Sequence, residues 1–297
     1  MTQAGSYILP LLAALAYTFS TLFFKQALSL GAGTMRVVFV TNFLAIPFFI
    51  PILIWNHCVL DWSFWPMLLL CALFNTLAMA LTFITIKIGD ISIQTPVMGS
   101  KVIMVAFLSI WMGMEVLNTA VWIASFLSVL AICILGKPDK LSGNNKTLLL
   151  TVCCSLLTAL SFAISDTLMA KYAAQFGEGP FLMYTMILTA IFSCGLIPFF
   201  EGKLVEMPKV SWFWVFWGGV CMSLELIFYC YALAFYSNPT TINILYSSRG
   251  IWSVLLIWLM GGYFGNTESQ KGKSIMLQRL AGALVLFMAI ILVIASK

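Results

Sequence analysis

The chain has 297 residues, 62% of them hydrophobic and 8% charged, with a mean hydropathy of +1.04, which excludes a soluble domain of this length and defines a polytopic membrane protein. Its net charge of +5 sits mostly on short connections and span ends, so it serves orientation against a bilayer and leaves no surface for nucleic acid. Of the eight cysteines only Cys58 lies outside an apolar run, and the single histidine, His57, stands beside it. One imidazole and one thiol fall short of a zinc site, so no metal or other cofactor is expected.

A spanning helix needs about 20 mainly apolar residues. That rule predicts ten spans, at 6–28, 35–55, 64–86, 92–113, 117–136, 147–171, 179–200, 211–236, 239–262 and 277–296. The first follows a neutral start, MTQAGSYILP, without the basic region of a signal peptide, and is expected to stay in the mature protein. Turn chemistry separates the spans: GAG at 31–33, GKPDKLSGNN at 136–145, FGEGP at 176–180, and Asn238-Pro239, a capping residue before a first-turn proline. Pro96 either starts the fourth helix or kinks it. Tryptophans 55, 62, 65, 212 and 214 fall near span ends, where interfacial anchors belong.

The sequence also repeats itself. LAYTFSTLFFKQALSLGAG (15–33) aligns without gaps on SFAISDTLMAKYAAQFGEG (161–179), and GSKVIMVAFLSIWMG (99–113) on SSRGIWSVLLIWLMG (247–261). Lys25 falls on Lys171, Gly31 on Gly177, Ser100 on Ser248 and Lys101 on Arg249. The expected organisation is a five-helix repeat at 1–140 and a second at 146–297. Because each half holds an odd number of spans, the second is inverted, an arrangement that in transporters places the substrate near the bilayer midplane.

Four ionisable side chains lie well within spans, away from their ends: Lys101, Asp166, Glu225 and Arg249. Lys, Arg or Asp at such a position costs about 2.5–3.5 kcal/mol, so these groups are expected to face protein or water rather than lipid. Lys101 and Arg249, at equivalent repeat positions, suit a carboxylate or phosphate. Glu225 with Tyr229 one turn later, Asn75 in the third span, and Asn243 with Tyr246 in the ninth complete a polar, aromatic-lined substrate pocket. A static ion pair of Glu225 with Lys101 or Arg249 is the competing reading. Asp166 is either a proton-coupling carboxylate, a role also open to Glu225, or the partner of Lys171. Lys25 and Lys171 read as snorkelling anchors.

The ten spans, the inverted repeat and Glu115 directly after the fourth span resemble the EamA-type members of the drug/metabolite transporter superfamily. The Gly-Glu that usually ends the fourth span there is Met114-Glu115 here, and the second half has Gly262-Tyr263 followed by an insertion. The resemblance implies a secondary transporter working by alternating access, and basic residues in the fourth and ninth spans of its sugar-phosphate-carrying relatives imply an acidic group on the substrate. Glu225 adds an amine, which favours amino-acid-like or zwitterionic metabolites; nucleotide or sugar phosphates, or a cation or drug exported by a Glu225-centred site, are the alternatives.

Expected partners are the small-molecule substrate, the bilayer and protons or a counter-substrate, with the chain a monomer or homodimer, in a bacterial inner membrane. An intramembrane enzyme is disfavoured by the lack of any G-x-S-x-G, P-loop or H-E-x-x-H motif. A structural subunit without transport is the other competing class. Eleven Lys and Arg residues on the odd-numbered connections and adjoining span ends, against Lys171 and Lys297 on the other side, would put the termini outside; the family resemblance would put them in the cytoplasm.

Overall fold

The computed structural model describes residues 3–55, 61–88, 97–135, 145–260 and 273–295. Pro96, His57, Cys58 and the 136–144 and 264–272 segments lie outside them. The described residues form helices α1 (Gln3–Ser29), α2 (Thr34–Trp55), α3 (Trp65–Ile88), α4 (Lys101–Trp111), α5 (Thr119–Leu135), α6 (Asn145–Phe176), α7 (Glu178–Ser193), α8 (Lys209–Tyr236), α9 (Pro239–Tyr246), α10 (Arg249–Met260) and α11 (Lys273–Ala295). There is no strand among them.

Six helical stretches, Gly5–Ser29, Thr34–Ile54, Trp62–Thr82, Leu148–Phe176, Glu178–Phe199 and Lys209–Tyr236, are long and apolar enough to cross a bilayer. Each also turns large apolar side chains outward, among them Ile8, Ile54, Leu73, Leu157, Ile191 and Phe213. That is the pattern of helices solvated by lipid. Hydroxyls inside the spans donate to carbonyls four residues back, as Thr18 Oγ1 to Ala14 at 2.8 Å and Ser125 Oγ to Val121 at 2.8 Å, so they reach the bilayer satisfied. Trp62, Trp65 and Trp212 are exposed near span ends, as predicted.

The chain forms two compact units, residues 1–76 with 168–237, and 77–167 with 238–297. Each draws on both halves of the sequence. In the first unit α1 packs along α8, and α2 on α7 and α8. Close approach is possible because Gly218 and Gly219 leave room for Phe24 and Leu44; a Cβ on either would lie 2.6 Å from those rings or methyls. Ser211 Oγ donates to Leu30 O at 2.9 Å, satisfying a carbonyl at the end of α1 that has no intrahelical partner. Ser211→Ala should therefore lower stability by about 0.5–1.5 kcal/mol in thermal unfolding.

Arg36, at the start of α2, is 6% exposed. Its guanidinium donates to Gly31 O and Lys203 O, each at 3.1 Å, tying the turn after α1 to the connection before α8. Gly33 has a φ of 76°, and a Cβ there would lie 2.6 Å from Arg36 Nε, so the predicted GAG turn needs its glycine for space as well as for conformation. Outside the spans, hydrogen bonding from the Ser63 side chain, and from Ser63 N at 3.0 Å, holds the Asp61 carboxyl below the usual range.

In the second unit α5 runs along α11, and α4 and α9 pack on each other and on α5. Val102, Val121, Ala124, Ile244, Ala289 and Val293 make the core. Gln278 Nε2 donates to Ile134 O at 2.7 Å, the same device as Ser211 on Leu30: one helix caps the carbonyl end of its neighbour.

Candidate functional site

Two spans predicted as continuous are broken. In the fourth, residues 97–98 are helical, Gly99 and Ser100 form a turn, and α4 begins at Lys101. At 11 residues α4 is about 16 Å long, roughly half a bilayer core. In the ninth, α9 ends at Tyr246, Ser247 and Ser248 form a turn, and α10 begins at Arg249. Both turns are tightened by bonds to the third residue back, Ser100 N to Val97 O and Val102 N to Gly99 O in one, Ser248 N to Leu245 O and Ile251 N to Ser248 O in the other. The two basic residues paired by the repeat thus occupy the same local position, the first residue of a helix after a break.

Lys101 Nζ lies 2.7 Å from Asp166 Oδ2, with 12% and 8% of the two side chains exposed. Asn243 Nδ2 donates to the same oxygen at 3.1 Å and to Pro239 O at 3.0 Å. Both of its partners are acceptors, so the amide can face only one way. The Lys101 ammonium also sits 5.3 Å over the Phe162 ring, which lies one turn before Asp166 on α6. Asp166 therefore pairs with Lys101, where the sequence had offered Lys171; Lys171 instead stands 5.5 Å from the Tyr172 ring.

Arg249 Cζ is 4.9 Å from the centre of the Tyr246 ring, and Tyr246 is 7% exposed. This stacking orients the guanidinium. Beside it Ser248 Oγ is buried and has no hydrogen-bond partner among the described residues. All eight residues of α9 are buried. Its start fits the predicted Asn238-Pro239 signal, with Pro239 in the first helical position, but Asn238 caps through its carbonyl to Ile242 N rather than its side chain. Thr240 Oγ1 donates to Glu115 Oε2, bringing the carboxylate after the fourth span onto α9.

The second unit thus gathers Lys101, Asp166, Asn243, Tyr246 and Arg249. Asn75, Glu225 and Tyr229 belong to the first. There Asn75 Nδ2 is 3.4 Å from Thr189 Oγ1, and Glu225 and Tyr229 are 3% and 6% exposed on one side of α8. Phe162 and Thr240 were not singled out by the sequence. Phe162 was legible only as the residue four before Asp166, and Thr240 carried no signal.

Described residues that are all helical or irregular, with exposed apolar spans, two interrupted helices and a buried ion pair at one of the interruptions, define an integral, multi-pass membrane protein. Residues 5–137 match the model of the EamA-like transporter family. A solved structure titled "Crystal structure of protein" shares the fold at a TM-score of 0.73, with 14% identity and coverage of 96% of each chain. Among curated proteins none matches.

Proposed function

We propose that the chain is a secondary transporter that moves a small polar metabolite bearing a carboxylate or phosphate, amino-acid-like or zwitterionic compounds foremost, by alternating access. The observation that carries this is the pair of repeat-equivalent cations, Lys101 and Arg249, each opening a helix directly after a break inside a predicted span. Lys101 pairs with Asp166, and the Arg249 guanidinium lies over the Tyr246 ring. An arriving anion meets the Arg249 fork and competes with Asp166 for Lys101.

The inverted repeat has support of its own. Helices α2 and α7, and α5 and α11, each pack on their repeat equivalent, and α4 packs on α9, the other half of the span that holds its equivalent α10. The paired Gly31 and Gly177 both adopt positive φ, 82° and 115°. Halves of this kind exchange conformations without chemistry on the substrate, and no enzymatic step is assigned. We place the protein in a bacterial inner membrane, as a monomer or homodimer.

Glu225, a buried carboxylate midway along α8, supports a second reading, a cation exporter centred on that residue. The test is thermal unfolding of purified protein with amino acids, organic acids, nucleotides and sugar phosphates, beside a Lys101→Ala/Arg249→Ala variant. At 100 times its dissociation constant a ligand adds about 2.7 kcal/mol. Stabilisation of the wild type alone by one anionic or zwitterionic class is the expected result; stabilisation by cations alone, equal in the variant, transfers the site to Glu225.

A further inference from the structure

A hydroxyl inside a bilayer has no bulk water to bond, and hydroxyls here are spent on the helix that carries them. Thr41, Ser109, Ser125 and Ser223 each donate to the carbonyl four residues back at 2.8 Å. At the breaks Ser100 Oγ donates to Val97 O at 2.7 Å and Ser247 Oγ to Asn243 O at 2.9 Å. Ser248 departs from the pattern. It is 3% exposed, and its Oγ is the one hydroxyl among the described residues that is buried with no hydrogen-bond partner. Nor does it cap α10 in the usual way, by accepting from the second or third N–H of the helix. Gly250 N goes to Ser247 O at 3.0 Å and Ile251 N to Ser248 O at 2.8 Å. A buried polar group left unpaired is costly, so this hydroxyl calls for a partner that folding does not supply.

Its surroundings suit an anion. Val102 and Ile244 share one core, and Thr240 reaches Glu115 beyond the end of α4, so α9 runs antiparallel along α4. Ser248 is one turn past Ile244 and Gly99 one turn before Val102, which sets the two breaks side by side. Both α4 and α10 begin there, each with the positive end of its dipole and a basic first residue. Ser248 immediately precedes Arg249, whose guanidinium lies over the Tyr246 ring.

We infer that the partner of Ser248 is the substrate: its hydroxyl donates to an oxygen of the carboxylate or phosphate that Arg249 pairs with, and so selects for that group. This rests on the anion-carrying reading above. A compound that brings no acceptor leaves the hydroxyl stranded, and a site built to hydrogen-bond its ligand rejects such an analogue strongly.

The test is thermal unfolding of the purified full-length chain with glycine, acetate and inorganic phosphate as probes and methylammonium chloride as the cation control. At least one of the three should raise the wild-type midpoint saturably, and which one does so separates a carboxylate from a phosphate. Without ligand, Ser248→Ala should melt no lower than the wild type, because it deletes a hydroxyl that bonds nothing. With ligand it should lose about tenfold or more in affinity, the worth of a hydrogen bond to a charged group, while Ser125→Ala in the same unit binds as the wild type does. A ligand-free midpoint that falls in Ser248→Ala reveals a resident partner such as a bound water and overturns the inference. So does undiminished affinity in Ser248→Ala where Arg249→Ala abolishes binding, an outcome that keeps the anion reading without Ser248. No wild-type response to any of the three probes, or a response to methylammonium alone, sinks the anion reading and this inference with it.

Discussion

Asp166→Asn should destabilise the protein by about 3–5 kcal/mol and abolish transport, whereas Lys101→Met/Asp166→Leu should restore most of the stability and none of the activity. The asymmetry follows from desolvation. A buried pair recovers the cost of removing two charges from water through their mutual attraction, but deleting one partner strands the other. Here the stranded group would be the Lys101 ammonium, held 2.7 Å from the missing charge and sheltered against Phe162. Replacing both by apolar groups removes both costs, which is why such exchanges are often neutral or better. Thermal unfolding of the three proteins checks the stability order, and uptake into proteoliposomes of the ligand found by screening checks function. A single mutant as stable as the wild type would show that Lys101 finds another anion. A double mutant that still transports would remove the pair from the mechanism.

Gly282→Leu should separate α5 from α11 and cost about 1–3 kcal/mol through overpacking. A Cβ at this position would meet Leu135 Cγ at 2.7 Å and Ala131 O at 3.1 Å. The leucine side chain can turn aside; the backbone oxygen cannot, so the helices must move apart. Gln278 is one turn earlier on the same face of α11, and its 2.7 Å bond to Ile134 O would be lost with the displacement. A further 0.5–1.5 kcal/mol, roughly, goes with it. Ala281→Leu is the control, because Ala281 is exposed and a larger apolar residue there enters no occupied space. Equal midpoints for the two variants would mean that the α5–α11 contact yields more easily than its geometry implies.

The all-helical class and the membrane location were legible from apolar length alone, since a bilayer obliges each crossing segment to satisfy its own backbone hydrogen bonds. Turn residues were legible for a related reason. Gly31, Gly33 and Gly177 take conformations that few other residues tolerate, and Pro239 fits only the first turn of a helix. Lys101, Asp166, Glu225 and Arg249 stood out because a charge in an apolar run is costly wherever it points.

Partnership was not legible. Asp166 had Lys171 five residues away along the chain, yet its partner is Lys101, 65 positions earlier, because hydrogen bonding depends on where α4 and α6 come together. The breaks before Lys101 and Arg249 were equally hidden: Gly99-Ser100 and Ser247-Ser248 read as ordinary small residues inside apolar spans, and only the helices packed around them decide that the chain tightens there. The packing of Gly282 is not written in its neighbours Ala281 and Ala283 either, since small residues suit contacts within or between protomers; it is the backbone of α5, in the same chain, that lies against it. Sequence by itself determined what each segment must be in a bilayer, because that follows from the solvation of each segment alone. Which charges meet, which helix breaks and which glycine is needed were decided by tertiary structure, because each depends on atoms far away in the chain.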